Sequence, residues 1–313
     1  VFLALAQALP RPRLRRALAL LFPSVILLSA CISMLGAGAH LVALDFMQRL
    51  QGTAPGFLGW LWLAGPFGVV TRVMACELIL RLFLTAAERG ERITLPAAGH
   101  SPLTRQQWGI VVVTGATLLA WATSGWHGAE APLVALVGAL LATVKRLTGS
   151  DLKGALKKVE WNLVVFMAAT MIMGQALVDS GAAAALAQAL VRALPLATLP
   201  ASALLALAAL LALLSHLVVT SRTARATVLI PTVALPFAAA GLDAGLLVFM
   251  MAVGSGFCQT LMVSAKPVAM FAGEEREHFG PRDLAGLSLG LLPGMCLLLV
   301  CFAAVVWPAQ GLG

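Results

Sequence analysis

The residues with the clearest capacity for chemistry interrupt an apolar run: Ser215-His216, then Thr220-Ser221-Arg222-Thr223, then Arg225. From Pro195 to Thr220 the one titratable side chain is His216, and after Arg225 the apolar sequence resumes to Ala240. Short hydroxyls beside a guanidinium suit an anion. Hydroxyls and the N–H groups of a starting helix donate hydrogen bonds, and arginine presents a two-pronged fork that matches carboxylate, sulfate or phosphate. Two further interruptions lie at Gly36-Ala37-Gly38-Ala39-His40 and Ser264-Ala265-Lys266-Pro267. Broken backbone at membrane depth survives where protein buries it or where it lines a wet cavity. An ionisable group there marks a functional site, so the Ser221 tip is where a substrate is expected.

Plainer roles compete for each residue. An arm from Pro195 to Thr220 is long enough to span completely, which would place Arg222 and Arg225 among headgroups. Ser221 and Thr223 suit helix caps, Lys266 suits snorkelling or capping of carbonyls freed by Pro267, and His40 suits a polar packing contact. Asp45 has His40 or the outer interface as partners, and Arg72, Glu77 and Arg81 suit an interhelical pair or a helix end. No HExxH, serine–lysine pair or acidic metal motif occurs, which argues against a membrane enzyme. All five cysteines (Cys31, Cys76, Cys258, Cys296, Cys301) lie in apolar segments and read as small hydrophobes.

The elements that must position these residues follow from composition. The chain is 60% hydrophobic and 11% charged, with mean hydropathy +0.96, against about 25% charged residues in a soluble domain. It is an all-α polytopic membrane protein, with the lipid bilayer as its solvent. The net charge of +8 resides in short loops, which sets orientation and discounts nucleic acid. Arg11–Arg16, Glu88–Gln107 and Lys145–Glu160 are basic and expected to be cytoplasmic; Ser124–Glu130 lacks Lys and Arg and is expected outside. These alternate if residues 17–50 cross once as a broken helix and 57–87 form a long helix, followed by spans Trp108–Thr123 and Ala131–Val144. Trp161–Val178 then leads outward, and Ala182–Leu194 suits an amphipathic helix at the outer interface. Gly245–Val263 precedes the Ser264 break, and Leu284–Trp307 crosses last, leaving the C-terminus external. The chain opens with Val1 inside an apolar stretch, with its basic cluster after it, which suggests a piece lacking its natural N-terminus.

Placing Val42-Ala43 on Val268-Ala269, an offset of 226, brings Ser29 onto Ser255, Gly38 onto Ser264 and His40 onto Lys266. Phe57–Pro66 then falls near Asp283–Pro293. Each copy reads as a broken helix, a polar turn and a long crossing helix, in opposite orientations. Inverted repeats with broken helices meeting near the midplane build secondary transporters. The partner of the Ser221 tip would lie upstream of Val1.

Ser221-Arg222-Thr223-Ala224-Arg225-Ala226-Thr227 through Pro231 resembles the Ser-Asn-Thr signature of the divalent anion/sodium symporter family, in the ion-transporter superfamily. Glu160-Trp161-Asn162-Leu163 through Phe166, Gly174, Leu177 and Ser180-Gly181 resembles the helix opening that family's second repeat. Ser264-Ala265-Lys266-Pro267-Val268-Ala269 takes the place of its Thr-Pro-Pro-Asn loop, and Gly38-Ala39-His40-Leu41-Val42 the corresponding place in the first repeat. The resemblance implies a homodimer of bacterial inner-membrane transporters, each with a scaffold and a mobile transport domain. It also implies elevator-type carriage of a small anion such as a dicarboxylate or sulfate. The implied substrate residues are Ser221, Arg222, Thr223, Ser264, Ala265, Lys266, Pro267, Gly38, Ala39 and His40. Sodium is the implied coupling ion, with Ser221, Ser264 and Gly38 as candidate ligands, and no other cofactor is expected. The implied organisation is 1–107 for the rest of the first repeat, with its cytoplasmic loop at 88–107. Scaffold-type spans and a basic linker occupy 108–160. The second repeat fills 161–313, with its hairpin tip at 220–225 and its break at 264–267.

The chain departs from the family where side chains shape the sodium sites: Arg222 replaces Asn, Ala265 and Ala39 replace the loop Thr, and Val268 and Val42 replace the loop Asn. Basic residues replace polar ones, so a fixed cation is expected to stand in for sodium and weaken the coupling. The alternatives are an arsenite or sodium/proton exchanger, which calls for paired carboxylates where only Asp45 is at hand, and a transport-inactive relative.

Overall fold

The computed structural model describes residues 11–90, 102–159, 161–193, 196–263, 265–272 and 278–312, with Phe2, Leu5 and Leu9. All regular structure among them is helical. The chain forms two compact units: residues 1–54, 61–95 and 169–313, and residues 55–60 with 96–168.

The first unit begins with α1 (Pro12–Ser29), extended by a tight turn through Ile32. There the helix ends: Ser29 Oγ bonds back to the Val25 carbonyl at 2.5 Å, and Ser33 turns extended at φ −105, ψ 137. A Cβ on Gly36 would sit 1.9 Å from the Ala30 carbonyl oxygen, so only glycine lets the chain double back. α2 (Gly38–Gln51) follows and α3 (Phe57–Phe83) runs 27 residues, about 40 Å at 1.5 Å per residue. Thr85 and Glu88 then form a capping box, and Thr85's backbone and side-chain donors hold the exposed Glu88 carboxyl below its ordinary pKa.

In the second unit α4 (Arg105–Ala122) and α5 (Ala131–Ala142) pack as a hairpin, closed by Trp121 Nε1 donating to the Ala131 carbonyl at 3.0 Å. A Cβ on Gly138 would meet Thr117 Oγ1 at 2.4 Å, the close approach that small residues permit between membrane helices. Trp108, Val112, Leu119, Leu133 and Leu136 stay exposed, apolar surface that a hydrocarbon solvent accepts.

α6 (Trp161–Asp179) bridges the units in sequence, and α7 (Ala182–Ala193) follows. α8 (Ala201–Leu214) ends in a turn at Ser215–Leu217, and α9 (Arg222–Leu229) returns. Pro231 has no N–H to continue the ladder, and the helix widens into a π turn over Ile230–Ala234 before Leu235–Ala239. α7 packs along that widened segment. α8 rises about 21 Å, short of the roughly 30 Å hydrocarbon layer.

α10 (Ala244–Gly254) ends nine residues before the interruption expected from hydropathy. Ser255 Oγ bonds back to the Ala252 carbonyl at 2.6 Å, and Gly256 and Phe257 close tight turns onto Val253 and Gly254. A break written as Ser-Gly-Phe-Cys is apolar on average, so hydropathy passes over it. α11 (Lys266–Ala272) starts the second arm, and α12 (Pro281–Cys301) runs on through a π turn to Ala309.

The two broken helices exchange partners: α1 packs on α11, and α2 on α10. The long helices meet through small residues, since Cβ atoms on Gly290 and Gly294 would press on Leu78 and Met74. Trp307, Phe67, Phe249 and Phe302 form an aromatic knot, and Trp307 Nε1 donates to the Leu63 carbonyl at 3.0 Å. Charges gather at two ends of this unit. Arg13, Arg16 and Thr85 share a pocket and Arg16 meets Asp283 at 3.4 Å at one end. At the other, Arg49 binds Asp45 at 3.0 Å and the Gln175 amide.

Candidate functional site

The α8–α9 hairpin tip delivers a helix start into protein. Ser221 caps α9, its Oγ accepting from Ala224 N at 3.3 Å. Arg222 and Arg225 then stand three residues apart on one face. α9 lies on α2, where Ala226, Ala39 and Ala43 are fully buried and their size allows close approach. Thr223 is buried, and its carbonyl accepts from Thr227 Oγ1 at 3.0 Å.

Both guanidinium groups reach the breaks. Arg222 lies close enough to Cys31 at the end of α1, to His40 in the first turn of α2, and to Cys258 in the second break to act on each electrostatically. Its Nη2 is 3.2 Å from the point where a Cβ on Gly256 would stand, so the glycine makes room for it. Arg225 is 0% exposed, and its Nη1 donates to the Phe257 carbonyl at 3.3 Å. The headgroup reading therefore does not hold for Arg225, which protein encloses; Arg222 is half-buried, with its Nε and Nη2 covered. Nε and Nη2 of both arginines are buried and have no hydrogen-bond partner among the described residues. The described ion pairs join Arg16 to Asp283, Arg49 to Asp45 and Arg81 to Glu77, none of them at this site. Unpaired guanidinium N–H groups in low dielectric demand an acceptor, and an anion supplies charge and acceptors together.

A second polar thread runs beside them. His216 Nδ1 meets the Leu213 carbonyl at 2.5 Å, and its Nε2 meets Thr260 Oγ1 at 2.6 Å. Thr260 Oγ1 in turn meets Ser288 Oγ at 2.5 Å, tying α8, the second break and α12 together. The His216 ring stands edge-on to Phe257 at 5.4 Å. Gln259 Nε2 donates to the Ser24 carbonyl at 3.5 Å, joining the second break to α1.

Of the residues singled out from sequence, Ser221, Arg222, Thr223 and His40 come together here. Gly38, Ala39 and His40 lie in the first turn of α2 rather than in the break, and His40 Nδ1 meets the Ser33 carbonyl at 3.0 Å. Asp45 pairs with Arg49, and Arg81 with Glu77 at 2.6 Å, a local helix pair. Ala265 precedes α11 and its carbonyl accepts from Val268 N, while Lys266, exposed, and Pro267 form the first turn of α11. Ser264 lies outside the described residues. Of the sodium candidates, Ser221 serves as the α9 cap and Gly38 begins α2. Arg225 was named in the tip but not among the substrate residues, Cys31 and Cys258 were read as small hydrophobes, and Gly256 and Phe257 escaped the sequence reading. The signal that could have found them is the Ser-Gly pair at Ser255-Gly256, which the offset sets opposite Ser29.

A protein of Cupriavidus necator described as "Membrane protein" is 26% identical over 201 residues, 62% of this chain and 39% of that protein. The chain thus matches about two fifths of that relative's length. The family model described as the sodium:sulfate symporter transmembrane region matches residues 6–310, nearly the whole chain. The chain belongs to this family of membrane symporters.

Proposed function

We propose that the protein is a secondary transporter of small anions, a dicarboxylate, sulfate or similar, working by elevator-type alternating access with weakened sodium coupling. One observation carries the reading: Arg222 and Arg225 bring four buried guanidinium nitrogens without described partners to the place where both breaks meet the hairpin tip. Family membership supports a membrane carrier of anions. The exchanged packing of the broken-helix arms, with a serine bonding back at the start of each break, supports an inverted repeat. In this reading Arg222 meets the anion together with the start of α9, and residues 108–160 belong to the scaffold of a homodimer.

The test is counterflow of labelled dicarboxylates and sulfate by the full-length protein in proteoliposomes, with and without sodium. Arg222→Asn should raise KM at least about tenfold, because a charge-assisted hydrogen bond contributes roughly 1.5–3 kcal/mol. Sodium-dependent uptake with KM unchanged in that variant refutes the reading.

A further inference from the structure

A basic cavity outside the anion site sits where α1 begins and α3 ends. It measures about 320 Å³ and is lined by Arg13, Arg16, Leu82, Phe83, Leu84 and Thr85, at the small end of the roughly 300–1,000 Å³ span of ligand sites. Local rules build it. Arg13 and Arg16 stand three residues apart near the start of α1, so both guanidinium groups leave the helix on one side. α3 ends at Phe83, Leu84 is buried, and Thr85 turns the chain away in an extended conformation. The walls are therefore apolar residues at the end of α3 and two cations of α1.

The protein does not use up these cations. Arg13 is exposed and makes no ion pair among the described residues. Arg16 meets Asp283 through Nη1 at 3.4 Å, and its side chain stays 48% exposed. Two carboxylates stand near, and each answers backbone donors as well. Asp283 accepts from Gly280 N at 2.9 Å, and Glu88, on which Arg13 and Arg11 act electrostatically, accepts from Thr85 N at 2.9 Å. Apolar surface continues from the cavity: exposed Leu82 lies 3.7 Å from where a Cβ on Gly290 of α12 would stand, and Leu289 beside it is exposed. A ligand with an anionic head and an apolar tail matches both features, whereas a free anion would leave the strip bare. The positive-inside pattern assigns this end to the cytoplasm, where basic pockets between membrane helices take lipid headgroups. We propose that Arg13 and Arg16 hold the headgroup phosphate of an anionic phospholipid, phosphatidylglycerol or cardiolipin, with an acyl chain along Leu82 and Leu289. The lipid bridges the start of α1 to the end of α3, whatever anion the carrier moves.

The experiment titrates delipidated full-length protein in detergent with phosphatidylglycerol, cardiolipin, phosphatidylcholine or inorganic phosphate. Native mass spectrometry counts retained lipid, and the melting midpoint reports stabilisation. Phosphatidylglycerol and cardiolipin should be retained and raise the midpoint, and phosphatidylcholine should do neither. Arg13→Gln breaks no described hydrogen bond or ion pair, and should weaken anionic-lipid binding about fivefold, the equivalent of about 1 kcal/mol for one arginine at a lipid surface. Arg13→Lys should recover part of that loss, and Arg105→Gln, in the second unit, should change nothing. An equal response to phosphatidylcholine in the wild type overturns the proposal without recourse to any variant. So does equal weakening by Arg105→Gln, which would mean a diffuse basic surface. Stabilisation by inorganic phosphate that Arg13→Gln abolishes overturns the lipid in favour of a free anion.

Discussion

Arg222 and Gly256 form a pair that neither sequence position announces. The guanidinium Nη2 occupies space that a β-carbon on Gly256 would contest at 3.2 Å, while the Val253 carbonyl stands 3.1 Å from the same point. Gly256→Ala should therefore move the arginine and weaken anion binding, read as a rise in KM in counterflow with little change in melting temperature. Thr260 makes a separate case. Its hydroxyl joins His216 to Ser288, so Thr260→Val strands two buried polar groups and should cost about 1–2 kcal/mol. A lowered melting temperature in detergent checks this, and Ser150→Ala in the exposed linker should leave it unmoved. Arg222 was legible in sequence because a charge inside an apolar run is conspicuous. Cys31 and Cys258 were not, because a thiol in an apolar run is indistinguishable from any small hydrophobe until its neighbours are known.

Each break is made by a local device, and the devices differ in how visible they are. The first closes by folding Gly36 against the Ala30 carbonyl. Gly36→Ala places a β-carbon 1.9 Å from that oxygen and should disrupt the break, with transport falling by about tenfold or more from misplacement of reacting groups. Gly65→Ala, in the middle of α3 with nothing within 4 Å of its β-carbon, should be silent. Transport assays on the two variants, matched for membrane expression, make the comparison. The second break was placed too late by sequence, at Ser264–Pro267, since proline and lysine are stronger signals than Ser255-Gly256. The α10 helix ends there because serine bonds back to Ala252 and the next two N–H groups close tight turns. Such competition between side-chain and main-chain acceptors is a property of geometry, and hydropathy averages over it.

At the scale of the molecule, the positive-inside pattern makes a prediction about sidedness. Arg13 and Arg16 gather with Thr85 and Asp283 at one end of the larger unit. Single cysteines at Ser150 and Gly128, on a background lacking the native cysteines, should react with an impermeant thiol reagent from opposite sides. Ser150 should be labelled in inside-out vesicles and Gly128 in right-side-out ones; labelling from the same side would overturn the topology. The sequence by itself determined the membrane class, the long spans and the Ser221 tip, because these depend on composition and period within a single segment. Only the tertiary structure decided that Arg225 is enclosed and bound to the Phe257 carbonyl, and that the tip meets both breaks. The same holds for the thread from His216 through Thr260 to Ser288. Those contacts join residues remote along the chain, and their partners are chosen by helix packing. Burial then turns a guanidinium that could have sat harmlessly among headgroups into a charge that must be answered.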